Sequence, residues 1–174
     1  MSEKRYVPQE IEKKWQDLWR EAELFKAKGD LSKPKFYGLE FFPYPSGNGL
    51  SVGHCRNYIP TDVICRYKWM KGFDVLHPMG WDAFGLPAEN EAIKRKSHPS
   101  KTVPKYVANY KRQMNLVGLS YDWSREINSS SPDYYRWTQW FFEQFYKHGL
   151  AYQKFSPVDF CPNCNTTLAR EQVQ

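Results

Sequence analysis

The stretch Pro43-Tyr44-Pro45-Ser46-Gly47-Asn48-Gly49 constrains this chain more than any other. Its prolines remove backbone donors and fix φ, and its glycines admit conformations that helix and strand interiors do not use, so the stretch must be a tight loop. Before it, Lys35 to Phe42 carries Phe36, Tyr37, Leu39, Phe41 and Phe42 and reads as a buried strand ended by Pro43. After it, a helical region reaches Met70, with a kink or break expected near Pro60, whose ring removes a donor and crowds the preceding turn. Gly72 caps that helix, and Phe73-Asp74-Val75-Leu76-His77 reads as a second strand. Strand, loop, helix, strand is a βαβ unit, which calls for parallel strands and a right-handed crossover.

The flanks fit an α/β domain. Residues 8–25 show Ile11, Trp15, Leu18, Ala22 and Phe25 at three- and four-residue steps behind Pro8, the pattern of an amphipathic helix, before Gly29-Asp30 and Lys33-Pro34 interrupt it. A further helix is expected from about Pro104 to Val117, stopping at Gly118 and burying Val107, Tyr110 and Met114. Another is expected after Ser131-Pro132, ending at Gly149 and burying Trp137, Phe141 and Phe145. Tyr152 to Phe160 looks strand-like up to Cys161-Pro162-Asn163-Cys164.

Seven Trp, twelve Tyr and eleven Phe in 174 residues supply apolar surface for a core and exclude disorder over most of the length. No apolar run approaches the roughly 20 residues of a membrane span. The start, Met1 to Tyr6, lacks the apolar run of a secretory signal. The reading is therefore a soluble, cytoplasmic protein with no membrane partner. In that setting four cysteines argue against a disulfide framework. A net charge of +6 permits a polyanionic partner without establishing one.

The proline- and glycine-rich loop continues through Leu50 and Ser51 to open a helix at Gly53-His54. The first amides of a helix lack intrahelical partners and the macrodipole makes that end positive, so a triphosphate fits there, with Gly53 admitting a close approach and His54 adding a donor. A glycine-rich loop before a helix is also common without function, and a lone His is more often structural. The second strand leads into Pro78-Met79-Gly80-Trp81-Asp82-Ala83-Phe84-Gly85-Leu86-Pro87-Ala88-Glu89. Ligands bind beyond the carboxyl ends of parallel strands, so Asp82 is placed to face the same crevice as His54 and hold an ammonium group. The alternative is that Asp82 only caps a turn.

At these residues a family resemblance emerges. The PYPSG-to-GH segment resembles the HIGH motif region of class I aminoacyl-tRNA synthetases, and GWDAFGLPAE resembles the second motif of their leucine, isoleucine and valine subgroup. Tyr121-Asp122-Trp123-Ser124-Arg125-Glu126, Tyr134-Tyr135-Arg136-Trp137, the Cys161/Cys164 pair and Leu168 to Val173 follow in that family's order, and FPYPSG with GWDAFGLPAEN is most similar to the leucine-specific branch. The resemblance runs from Tyr6 onward. It implies the first half of a Rossmann-like parallel-sheet nucleotide-binding domain over residues 35–160, an N-terminal helical extension over 1–34, and the start of a zinc-knuckle-like segment over 161–174.

The resemblance also implies roles. His54 matches the second histidine of HIGH, which contacts ATP phosphates, while Ser51 stands where the first histidine usually does and cannot bring a positive charge. Pro43, Tyr44, Pro45, Ser46, Gly47, Gly53 and His54 fall on the ATP-binding segment. Phe41, Phe42 and Tyr44 match the lining of the amino-acid pocket, and Asp82 matches the residue that holds the leucine α-amino group. The implied reaction joins L-leucine to ATP, present with Mg2+, as leucyl-adenylate, and then forms a carbon–oxygen bond to tRNA(Leu). Such enzymes are expected to work as monomers. No KMSKS-like segment and no editing insertion occurs here, so a lone 174-residue chain is expected to be weak or inactive in aminoacylation.

Cys161 and Cys164 have the spacing of half a zinc site, and a closed site commonly takes two such pairs. The other half would lie beyond Gln174, with His148 the nearest upstream candidate but placed in a helix, so Zn2+ is expected only in a longer protein. Lys94-Arg95-Lys96, Lys101, Lys105, Lys111 and Arg112 read as a solvated basic surface ahead of a tRNA contact. Rivals stand beside this reading. A small nucleotidyltransferase would lack GWDAFGLPAE, and a zinc-ribbon nucleic-acid module would need a second ligand pair. A truncated product without independent activity, or an isoleucine- or valine-type synthetase, is the remaining alternative.

Overall fold

The computed structural model describes residues 6–47 and 49–173, leaving the expectations that rest on Met1 to Arg5, Asn48 and Gln174 outside the described residues. Packing divides the chain into two units, Met1–Tyr135 and Arg136–Gln174.

In the first unit, strand β1 (Lys35–Tyr37) pairs in parallel with β2 (Asp74–Leu76), Lys35 opposite Asp74 and Tyr37 opposite Leu76. Helix α2 (Val52–Met70) supplies the crossover between them. The βαβ unit is therefore present, with shorter strands than the sequence suggests. Between Phe36 and Phe42 the side chains alternate: Phe36, Gly38, Glu40 and Phe42 turn inward while Tyr37, Leu39 and Phe41 are exposed. A fully buried strand is thus corrected to a half-buried one, because side chains on extended backbone alternate between faces. One of its inward positions is a carboxylate.

Helix α2 runs through Pro60 without the break that the sequence reading allowed as one of two outcomes there. Its inward residues Tyr58, Asp62 and Cys65 hold it against the core, and such packing offsets the roughly 3 kcal/mol that an interior proline costs. Two short strands, β3 (Gly80–Trp81) and β4 (Ile127–Asn128), form a second parallel pair. Helices α3 (Leu86–Lys94) and α4 (Pro99–Val117) lie between them in sequence and pack on each other. Helix α4 begins five residues before Pro104, with His98 accepting from the Ser100 N–H at 3.2 Å as its cap. Its expected inward residues Tyr110 and Met114 are buried and Val107 is partly so.

The core collects Tyr58, Met79, Trp81, Ala88, Val103, Tyr110, Met114 and Tyr121, with Trp81 stacked on Trp123 at 6.4 Å between ring centroids. A buried polar cluster ties it together. Tyr121 donates its hydroxyl to Glu40 at 3.0 Å, and the His77 ring meets the other Glu40 oxygen at 3.2 Å. Asp62 accepts from both the N–H and the hydroxyl of Ser120 at 2.5 Å and from Arg66 at 2.6 Å. Buried polar groups persist only when partnered in this way.

Helix α1 (Pro8–Glu21) ends short of the expected Phe25, because Glu23 adopts a positive φ of 45° and the chain turns. The following segment is pinned by main-chain donors: Ala27 N–H to Asp122 at 3.0 Å and Asp30 N–H to Asp74 at 2.9 Å.

Helix α5 (Pro132–Lys147) starts where the sequence places it. Its expected buried face is corrected, however: Trp137, Phe141 and Phe145 remain 54%, 53% and 49% exposed. The amphipathic pattern is real, but the described residues of its own unit leave that face uncovered. In the second unit β5 (Asp159–Cys161) and β6 (Thr166–Leu168) form an antiparallel hairpin around the Cys161–Cys164 turn. Only the last two residues of the strand-like stretch ending at Phe160 join it. His148 lies one residue past α5, where it donates from Nδ1 to the Gln144 carbonyl at 2.8 Å.

Candidate active site

The segment after β1 stays alongside the segment after β2 well beyond the strands themselves. The Asp82 N–H donates to the Pro43 carbonyl at 3.1 Å, one residue out of the register in which the Asp74 N–H meets the Pro34 carbonyl. Pro43 and Pro45 are fully buried, and the Ser46 carbonyl accepts from the Tyr110 hydroxyl at 3.0 Å, so the loop is anchored on α4. Its exit is equally tight. Gly49 has φ 121°, and a side chain there would collide with Gln113, whose amide oxygen accepts from the Leu50 N–H at 2.7 Å. Only glycine meets both demands.

Helix α2 then starts with Ser51 as N-cap in a capping box: the Ser51 hydroxyl accepts from the His54 N–H at 3.4 Å, while His54 Nδ1 accepts from the Ser51 N–H at 2.9 Å. Such caps contribute about 1 kcal/mol. Gly53 beside them has no close neighbour beyond ordinary contact with the Ser51 hydroxyl, so nothing crowds the helix end there.

His54 faces a cleft of about 490 Å³ lined by Phe41, Phe42, Pro43, Tyr44, His54, Asp82, Ile127, Ser129 and Tyr134. Six of these are candidate site residues of the sequence reading, and Tyr134 lies in one of its further motifs. Pro45, Ser46, Gly47, Ser51 and Gly53 are not on the wall; they shape the loop and helix end behind it. Ile127 and Ser129 carry no motif signal and reach the cleft through β4 and the turn after it, while Tyr134, named only within a longer motif, reaches it from the first turn of α5. The signal that could have found Ile127 and Ser129 is the order of the parallel strands, since Ile127 pairs with Gly80, two residues before Asp82.

Within the cleft, Phe41 and Tyr58 stand 6.5 and 5.8 Å from the His54 ring, and Tyr110 meets it edge-on at 5.9 Å. This apolar setting lowers the pKa of His54 by burial and raises those of the Tyr58 and Tyr110 hydroxyls for the same reason. Among the described residues no hydrogen bond or ion pair engages the Asp82 carboxylate, and none engages His54 Nε2. The turn-capping alternative for Asp82 finds no such bond: only its main-chain N–H serves the fold. A half-buried carboxylate and a ring donor therefore stand unpaired across one concave space, an arrangement suited to a ligand with a cationic and an anionic end.

The other candidates lie elsewhere. Arg95 pairs with Glu91 at 2.9 Å, and Lys111 with Glu126 at 2.5 Å while lying over Trp123. Cys161 sulfur accepts from the Cys164 N–H at 3.3 Å, a bond that lowers the thiol's pKa. Yet no group of three His, Cys, Asp or Glu side chains among the described residues could hold a metal ion, so the two thiols do not close a site. Likewise no helix among them is long and apolar enough to cross a membrane.

The site thus brings a parallel βαβ unit, a capped helix N-terminus and a carboxylate to one cleft. A profile for class I tRNA synthetases (I, L, M and V) matches residues 14–174, and the chain belongs to that family. Among its curated relatives, the leucine–tRNA ligase of Thermotoga maritima is 54% identical over 171 residues, 98% of this chain and 21% of that protein. The leucine–tRNA ligase of Syntrophus aciditrophicus is also 54% identical, over 98% of this chain and 20% of its own length. The structure superposes on a LeuRS–tRNA–LeuAMS ternary complex of Agrobacterium radiobacter with a TM-score of 0.89 and 40% identity, covering 98% of this chain and 22% of that one. It shares the fold of Mycobacterium tuberculosis methionyl-tRNA synthetase bound to methionyl-adenylate, with a TM-score of 0.69 and 20% identity over 81% of this chain and 27% of that one. The chain thus spans about a fifth of the length of its curated relatives.

Proposed function

We propose that this chain supplies the first half of a leucine-activating site, in which His54 faces the phosphates of ATP and Asp82 holds the α-ammonium group of leucine. The observation that carries the proposal is the pair of unpaired groups, His54 Nε2 and the Asp82 carboxylate, on the wall of one cleft. The leucine-specific relatives at 54% identity support the choice of amino acid.

In the proposed reaction the leucine carboxylate attacks the α-phosphorus of ATP, the bond to the β-phosphate oxygen breaks, and pyrophosphate leaves with that electron pair. A ribose hydroxyl at the end of tRNA(Leu) then takes the leucyl group, releasing AMP. Asp82 fixes the nucleophile end by a charge-assisted bond. Phe41, Phe42 and Tyr44 form the apolar side of the pocket, and His54 with the first amides of α2 faces the charge that develops on phosphate. The work is alignment and electrostatic stabilisation rather than covalent catalysis. Asp82 is the one carboxylate on the cleft wall, and its assigned partner is an ammonium group. Mg2+ accordingly enters as part of its ATP complex, with no dedicated site on this wall. Zinc belongs to the reading only through Cys161 and Cys164, whose remaining ligands another part of a longer protein would have to provide. The whole enzyme is proposed to act as a cytoplasmic monomer, with residues 1–34 as an extension, 35–160 as the half-domain and 161–174 opening the knuckle.

The test is a chimera in which this chain replaces the matching segment of the Thermotoga maritima leucine–tRNA ligase. Leucine-dependent exchange of pyrophosphate into ATP is expected, with isoleucine and valine at least about 100-fold poorer in kcat/KM. A folded chimera without exchange, or one that prefers another amino acid, would refute the proposal.

A further inference from the structure

We propose that Ser51 is a positioning residue that holds His54 in the tautomer carrying its proton on Nε2, so that the ring presents a hydrogen-bond donor to an anion in the cleft. The inference rests on the reading of that cleft as a phosphate-facing site, although the tautomer itself is independent of it.

Two Ser51 groups converge on His54 Nδ1. The main-chain N–H lies 2.9 Å away and can only donate. The hydroxyl oxygen also lies 2.9 Å away, and since it accepts from the His54 N–H at 3.4 Å, its own hydrogen is available to Nδ1. A ring nitrogen that already carries hydrogen cannot accept either bond. Nδ1 is therefore bare, and in the neutral ring the proton is on Nε2, the nitrogen with no partner among the described residues. Elsewhere in the chain the opposite case holds: His148 Nδ1 sits 2.8 Å from the Gln144 carbonyl, an acceptor, and so carries hydrogen.

This gives the departure at Ser51 a physical role. A histidine at that position would bring a potential charge, whereas serine brings a cap and a lock. Protonating His54 at Nδ1 would set its N–H against the Ser51 main-chain N–H, two donors face to face, and break that half of the capping box. The groups around the ring are Tyr58 on α2, Tyr110 on α4 and Phe41 from the first motif, with Asp82 lining the same cleft. Burial among them works in the same direction, since it lowers the pKa of His54. The outcome is a neutral donor that stays a donor on mild acidification.

Long-range proton–nitrogen NMR of the 174-residue chain labelled at histidine nitrogen tests this without any ligand. At pH 7.5 the His54 signal is expected to show hydrogen on Nε2 and an unprotonated Nδ1, with His148 showing the reverse. Ser51→Ala keeps the main-chain donor and removes the hydroxyl; the His54 titration midpoint is expected to rise by about half a pH unit or more. Ser51→Thr, which restores the hydroxyl, is expected to return it. Amide spectra establish that each variant is folded, and the parent spectrum alone decides the tautomer if Ser51→Ala is not. A His54 proton on Nδ1, or a folded Ser51→Ala chain with the parent midpoint, would overturn the inference. An inactive chimeric ligase with an intact Nε2–H signal would refute the proposed function while sustaining this one.

Discussion

The main-chain N–H of Asp82 donates to the carbonyl of Pro43 at 3.1 Å, and this bond ties together the two segments that build the cleft. Because the bond uses backbone only, the Asp82 side chain is left free for a ligand. The loop from Pro43 to Leu50 is in turn held by Tyr110 and Gln113 of α4, so the helix end bearing His54 is fixed relative to Asp82.

Replacing Asp82 by Ala should leave the loop in place and remove the partner of the substrate ammonium. A charged hydrogen bond contributes about 1.5–3 kcal/mol, so kcat/KM for leucine in the chimeric ligase should fall roughly 10- to 100-fold. The KM for ATP should stay close to that of the parent. Steady-state exchange kinetics check this, and an unchanged response to leucine would remove Asp82 from the site.

His54→Ala should act on the rate instead. Losing one donor to developing phosphate charge costs about 3 kcal/mol in the barrier, on the order of a 100-fold fall in kcat for exchange, with leucine KM changed little. The pH dependence follows from the same residue. Burial lowers the His54 pKa from its ordinary 6.5, so the neutral ring persists as pH drops through that value. The acid limb of exchange assigned to His54 should accordingly lie below pH 6.5 and disappear in the alanine variant. Stability has the related sign: the unfolded chain binds this proton first, so acidification through 6.5 favours unfolding.

Asp62→Ala tests the buried cluster that holds α2 against the core. It strips the acceptor from both Ser120 donors and from Arg66. Breaking a buried pair from one side costs about 3–5 kcal/mol, visible as a lower urea midpoint at unchanged slope. A loss below about 1 kcal/mol would mean that water replaces the carboxylate.

Cysteine reactivity offers an independent check on α2. Cys65 is 2% exposed, and burial pushes its thiol up to about 12, so it should resist iodoacetamide until the chain unfolds. Exposed Cys164 should react under native conditions. Peptide mass spectrometry separates them, and equal labelling rates would place Cys65 at the surface.

Much of this was legible in the sequence because the strongest signals were local. Proline and glycine forced the loop at 43–49, and the apolar steps of Tyr110 and Met114 gave the buried face of α4. What was missed depended on distant contacts. Strands β3 and β4 have two residues each, too short for any periodicity, and they exist because Gly80 and Ile127 are brought together. Helix α3 did carry a signal, Gly85 followed by Pro87 in the first turn, but it lay inside a segment read for its motif. Glu40 broke the apolar reading of its strand because its partners, His77 and Tyr121, lie 37 and 81 residues away. Trp137, Phe141 and Phe145 show the converse: periodicity defined a helix face without providing what would bury it.

The most direct test of the site is a crystal structure of the chimeric ligase with a sulfamoyl analogue of leucyl-adenylate. The α-ammonium should lie within about 3 Å of the Asp82 carboxylate, and His54 Nε2 should point at the sulfamoyl or phosphate-side oxygens in the same cleft. An analogue bound with Asp82 turned away, or outside the space between these two side chains, would contradict the account.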